Sequence, residues 1–217
     1  MQLTPDSPPR GGPEGEQVME RQEGVSRVEA FSDGVLAIII TIMVLELKTP
    51  AAEGLEALWH LWPVFLAYVL SYAYVAIYWV NHHRLFGHAR VITGRLLWSN
   101  MALLFTLSLV PFATAYLGEH HFSRAATLLY LAVMLLASIA YAPLQREIAR
   151  TGTAGKAART YHAATLRKGL AAILVYAAGL PLSFVSPWLG IGCAALVAVF
   201  WILPWGPLDR LFLCDDA

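Results

Sequence analysis

Over residues 27–45 the chain reads RVEAFSDGVLAIIITIMVL, setting Arg27, Glu29, Ser32 and Asp33 directly before an unbroken apolar run. A carboxylate entering hydrocarbon must be paired, hydrogen-bonded or open to water. Glu29 and Asp33 are four residues apart and share a helical face, so they require donors or cations nearby. Two readings stay open. In one, Ser32 or Asp33 caps a helix beginning here, at the positive end of its dipole. In the other, the acids join a polar network between helices. A second cluster, YWVNHHRLFGHAR over residues 78–90, sets Asn81, His82, His83, Arg84 and His88 behind Trp79. Three histidines invite a metal, but no carboxylate or thiol ligands stand at a matching spacing, and no metal site is expected. The better expectation is a hydrogen bond from Asn81 or a histidine to Asp33. Within the apolar run, Ile38, Thr41, Ile42 and Leu45 stand at i, i+3, i+4 and i+7, on one helical face. Ordinary helix packing accounts for such a stripe. Thr41 is the exception, because a hydroxyl in mid-span either bonds back to the preceding turn or faces something wet.

The elements that must position these residues follow from composition. The 217 residues are 58% hydrophobic and 14% charged, with a mean hydropathy of +0.56. Soluble domains carry roughly a quarter charged residues, so the chain reads as an all-α membrane protein. Net charge is zero, which leaves no electrostatic case for nucleic-acid binding. The two cysteines, Cys193 and Cys214, form neither a disulfide framework nor a ligand cluster. Six stretches suit membrane helices of about 20 residues: 29–47, 58–80, 96–117, 125–144, 169–185 and 188–203, the last two short. Residues 1–25, rich in Pro, Gly and Glu, read as a disordered tail. A six-helix membrane domain over 26–206 and a short C-tail over 207–217 complete the organisation.

Basic residues orient the bundle, since cytoplasmic loops retain Lys and Arg. With the N-terminus inside, every Lys and Arg except Lys48 and Arg124 falls on the inner side. Both termini are therefore expected in the cytoplasm of a cell of bacterial type, the chain crossing its plasma membrane several times. Trp59, Trp62, Trp98, Tyr116, Trp188 and Trp205 then sit where an interfacial aromatic belt would place them. The loop QREIARTGTAGKAARTYHAATLRK suggests short interfacial helix around a Gly-rich turn. It reads as an ordinary positive-inside loop, with contact to anionic headgroups as the sharper alternative.

Arg27, Phe31, Ser32, Asp33, Gly34, Val35, Ala37, Ile38 and Thr41, followed by Trp79, Asn81, His82 and His83, resemble the signature of the transmembrane-protein-175 family of potassium channels. One FSD motif occurs, as in the single-repeat prokaryotic branch. The resemblance implies a homotetramer of six-span subunits in the bilayer, with four first helices lining a central pore. It implies a narrowest ring at Ile38, with Thr41, Ile42 and Leu45 further along the same face. It also implies that Arg27, Phe31, Ser32 and Asp33, with the Trp79–His83 cluster, form a structural polar network rather than an ion ligand. The function it implies is passive conduction, moderately selective for K⁺ over Na⁺, without a cofactor and with K⁺ as the permeant ion.

The residues themselves agree on a physical point. No TVGYG carbonyl filter and no Arg-rich voltage sensor is present. A channel built from this chain must discriminate by a tight apolar constriction that strips part of an ion's water, where weakly hydrated K⁺ is favoured. Two alternatives stand beside it, a proton- or ion-coupled transporter and a proton-conducting channel, each using Asp33, His82 and His83. An unbroken apolar midplane in the first span argues against a carrier's central binding site. No Ser/His, HExxH or paired-carboxylate constellation points to an enzyme.

Overall fold

Pro13 stands at the start of the first helix, where its missing N–H costs nothing and its fixed φ suits a helical turn. The computed structural model describes residues 13–152 and 155–202, and side chains from Met19 onward. The described residues are helical or in short connections, without a strand. The helices are α1 (Pro13–Leu45), α2 (Leu55–His60), α3 (Trp62–Phe86), α4 (Gly94–Ser108), α5 (Val110–Glu119), α6 (Arg124–Thr151), α7 (Lys156–Val185) and α8 (Pro187–Ile202). Residues 1–12, the C-tail with Arg210 and Cys214, and Trp205 lie outside the described residues.

Five stretches are long and apolar enough to cross a membrane: Met19–Leu45, α3, Gly94–Glu119, α6 and α7. The sixth, α8, is shorter at 16 residues. The third crossing is split into α4 and α5 at Leu109, two residues before Pro111. Proline removes a helical hydrogen bond and its ring crowds the carbonyl one turn back, so the break falls where it must.

Two expectations are corrected here. The tail expected to be disordered to residue 25 is helical from Pro13, because Glu, Gln, Met and Arg dominate residues 14–22 and all favour helix. Val25 is buried within that segment. The expected interfacial helix between the fourth and fifth spans is absent as a separate element. Instead α6 continues to Thr151 and α7 begins at Lys156, so the described part of that loop is mostly helix. Its Ala, Arg and Lys residues prolong the helices, as their propensities favour.

Helix α6 is central: it packs on α3, α4, α5, α7 and α8. Close approaches are set by small residues. A Cβ on Gly118 of α5 would stand 2.8 Å from the Val64 Cα of α3. On Gly190 of α8 it would overlap Ser183 Oγ, 2.9 Å from Leu131 Cδ1 and 3.0 Å from Thr127 Cγ2. Gly190→Ala is therefore expected to cost about 1–3 kcal/mol through overpacking, read as a lower unfolding midpoint in detergent. An unchanged midpoint would mean that α8 moves away freely.

Helix α1 packs against α3, α4 and α5 at one edge and is the least buried of the long apolar helices. Beyond its outer end, Lys48 Nζ meets Glu119 Oε1 at 2.9 Å, linking the α1 exit to the end of α5. The Glu119 hydrogen bond, then its charge, hold the Lys48 ammonium above its ordinary range.

Candidate functional site

The 33 residues of α1 make a rod of about 50 Å, longer than the ~30 Å hydrocarbon core. Its two long faces differ. Ser32, Leu36, Ile39 and Met43 point into the subunit and are almost wholly buried. The opposite face carries Phe31, Gly34, Ala37, Ile38, Thr41, Ile42 and Leu45, all exposed. Ile38 is 57% exposed and Leu45 78%, although both are large and apolar. A Cβ on Gly34 would meet nothing within 4 Å. This stripe is the one marked out by spacing, and among the described residues of the single chain nothing covers it. Thr41 Oγ1 donates to the Ile38 carbonyl at 2.8 Å, so its hydroxyl bonds back along the helix while the residue remains on the open face.

The polar residues of the FSD region lie mainly on the inward side, where α3 and α4 hold them. Ser32 Oγ donates to the Val28 carbonyl at 2.9 Å and accepts from Asn100 Nδ2 at 2.9 Å. Asn100 Oδ1 in turn accepts from His82 Nε2 at 2.9 Å. Ser32, His82 and Asn100 are each at most 1% exposed, so this is a buried three-helix clasp. Asp33 sits at its margin, where Oδ1 accepts from Trp79 Nε1 at 3.0 Å. One turn toward the N-terminus, Glu29 Oε1 accepts from His83 Nδ1 at 2.8 Å, and the His83 ring stacks on Trp79.

Several expectations change in detail. Ser32 and Asp33 do not cap a helix, because α1 starts some twenty residues earlier; the helix-dipole account of Asp33 falls with it. Asp33 bonds Trp79, not a histidine or Asn81. Asn81 turns away: its Nδ2 donates to the Ile77 carbonyl at 2.8 Å, and its own carbonyl accepts from Tyr141 at 3.1 Å. Arg27 and Phe31 are exposed and take no part in the clasp within one chain. Asn100, its central member, was missed; an amide inside an apolar helix, level with FSD, was the available signal. The histidines diverge, His82 to Asn100, His83 to Glu29, and His88 onto the Tyr161 ring 4.6 Å away. Among the described residues, no group of three His, Cys, Asp or Glu is placed to hold a metal ion.

Losing the Asp33–Trp79 bond, for example in Trp79→Phe, is expected to cost only about 0.5–1.5 kcal/mol, because both groups are partly open. A chemical-denaturation midpoint in detergent checks it; a collapse of the fold would place Trp79 at a deeper contact than the chain shows.

Similarity to known proteins follows the same residues. A family model described as "Endosomal/lysosomal potassium channel TMEM175" matches residues 27–111, which contain the α1 stripe and the clasp. A potassium channel of Chryseobacterium sp. (strain P1-3) is 44% identical over 179 residues, covering 82% of this chain and 92% of that one. The crystal structure of a lysosomal potassium-selective channel TMEM175 homolog from Chamaesiphon minutus superposes with a TM-score of 0.73 at 32% identity. That match covers 82% of this chain and 96% of the other. The Bos taurus protein named endosomal/lysosomal proton channel TMEM175 matches over 95 residues at 42% identity, only 19% of its length.

Proposed function

Because this multi-pass membrane chain belongs to the TMEM175 family of channels, we propose that it is a passive, potassium-selective cation channel whose pore is lined by the open face of α1. The observation that carries the reading is that face itself. Ile38, Thr41, Ile42 and Leu45 are exposed within one chain, so large apolar area is left for a second surface to cover. Exposed apolar patches of this kind mark association sites or lumens. Four copies of α1 around a common axis would turn the stripe inward and close Ile38 into a ring.

The mechanism is partial dehydration. At a ring of isoleucine side chains no polar atom replaces the water an ion sheds, so the ring dewets and limits flux. K⁺ holds its water less tightly than Na⁺ and crosses at lower cost, which gives moderate selectivity. Beyond the ring, Thr41 has its proton directed to the Ile38 carbonyl, leaving oxygen lone pairs to face a passing cation. Deeper in the wall, the Ser32–Asn100–His82 clasp holds α1 in a fixed rotation, so that Ile38 rather than Ile39 faces the axis. The ion is cargo and no cofactor enters. With both termini in the cytoplasm of a bacterial-type cell, Glu46, Glu53 and Glu56 stand at the outer mouth.

A relay through Asp33, His82 and His83 finds no support in these contacts. Asp33 meets an indole, His82 meets an amide, and His83 meets Glu29. The chain in liposomes should pass K⁺ faster than Na⁺, and its native mass should be that of four chains. A monomer would remove the central pore. Proton flux without K⁺ flux would replace this reading with the proton-conducting one.

A further inference from the structure

We propose that Glu119 is a positioning residue for conduction. It holds the Lys48 ammonium at the end of α5 and so leaves the Glu46 carboxylate uncompensated at the Leu45 end of the pore, where it gathers cations. The inference rests on the reading of the α1 face as the pore wall.

Residues 45–48 put two opposite charges at that end. Leu45, 78% exposed, closes the stripe. Glu46 follows it and lines, with Ile38 and Ile42, the groove between α1 and α5. Lys48 comes two residues later, outside the helix, its backbone N–H donating to the Glu46 carbonyl at 2.9 Å. From Leu45 to Lys48 the chain spans at most about 10 Å, and a lysine swings on a flexible four-carbon stem. Unrestrained, its ammonium would neutralise Glu46 or stand over the mouth itself. Four such cations around one axis oppose cation entry. Arg124, the other cation expected on this side, stands over the Phe184 ring of α7, 5.9 Å from its centre.

The fold draws Lys48 away from the mouth. Helix α5 runs alongside α1 in the same direction: Thr114 Oγ1 lies 3.9 Å from Met43 Sδ. Further along both chains, Glu119 Oε1 meets Lys48 Nζ at 2.9 Å. Glu119 has a firm base, because a Cβ on the neighbouring Gly118 would stand 2.8 Å from the Val64 Cα of α3. Among the described residues Glu46 enters no ion pair, and it acts on Lys48 by charge alone. The Lys48 and Glu119 side chains are 73% and 51% exposed, where ion pairs add little stability. What the pair decides is where charge stands.

The test is single-channel K⁺ current through the full chain in planar bilayers of phosphatidylcholine, whose headgroup carries no net charge. It is compared at about 10 mM and about 1 M KCl, where the Debye length is about 30 Å and about 3 Å. Glu119→Gln should lower the current about threefold at the lower salt and leave it unchanged at the higher. Adding Lys48→Gln should restore it, and Glu46→Gln alone should lower it as Glu119→Gln does. A loss that persists at 1 M KCl marks a shift of α1, and a loss that Lys48→Gln does not relieve marks the charge of Glu119 itself. Either result overturns the inference, as does an unchanged Glu46→Gln. If the wild type conducts K⁺ and Glu119→Gln matches it at both salts, this inference fails and the pore reading stands. A wild type of confirmed mass that passes no K⁺ overturns both.

Discussion

Ile38→Asn is expected to raise cation flux about tenfold, a barrier lower by ~1.4 kcal/mol, and to flatten the preference for K⁺ over Na⁺. Ile38 is the exposed apolar residue nearest the middle of the α1 stripe, between Phe31 and Leu45. Placing an amide there supplies a donor and acceptor per subunit where an ion otherwise loses water without replacement. The cost of dehydration falls for both ions, and falls more for the one that holds water more tightly. Selectivity therefore drops as conductance rises. Val44→Asn is the control, because Val44 is also exposed but stands about 120° of helix rotation away from Ile38. It should leave flux and ion order as they are. Liposome flux with K⁺, Na⁺ and Cs⁺ on protein of confirmed mass reads all three. If Ile38→Asn matched the wild type in both rate and ion order, the constriction would have to be sought elsewhere.

The second large effect concerns stability. Asn100→Leu should destabilise the subunit by about 2–4 kcal/mol, since it strands two buried polar partners at once. Ser32 Oγ would lose its donor and His82 Nε2 its acceptor, with Ser32 fully buried and His82 1% exposed. For a chain of this size that is an unfolding midpoint lower by roughly 5–10 °C. By contrast, His83→Ala removes a pair whose histidine side chain is 63% exposed and should cost under about 1 kcal/mol. The two variants separate a clasp inside the bundle from a contact at its rim, although both touch the FSD region. Equal midpoints for the two would mean that water satisfies Ser32 and His82 once the amide is gone.

Composition and period were enough to establish an all-helical membrane chain, and the i, i+3, i+4, i+7 spacing was enough to put Ile38, Thr41, Ile42 and Leu45 on one face. Both are local properties: hydropathy sums along the chain, and a helix turns by a fixed angle per residue. The partners of the polar residues were not legible. Asp33, Ser32, His82 and His83 all stand where several donors and acceptors are within reach of a helix end, and sequence separation does not rank them. Only packing α3 and α4 against α1 assigned Trp79 to Asp33, Asn100 to Ser32 and His82, and Glu29 to His83. The same packing left Arg27 and Phe31 outside. Helix ends were misjudged for a related reason. A polar helix such as residues 13–28, or the continuations of α6 and α7 beyond the apolar core, carries no hydropathy signal, so its length is decided by propensity and by neighbours. Lys168 shows the limit most plainly. It reads as an ordinary basic loop residue until α7 and α8 converge, and their convergence places its ammonium against the rings of Phe200 and Trp201.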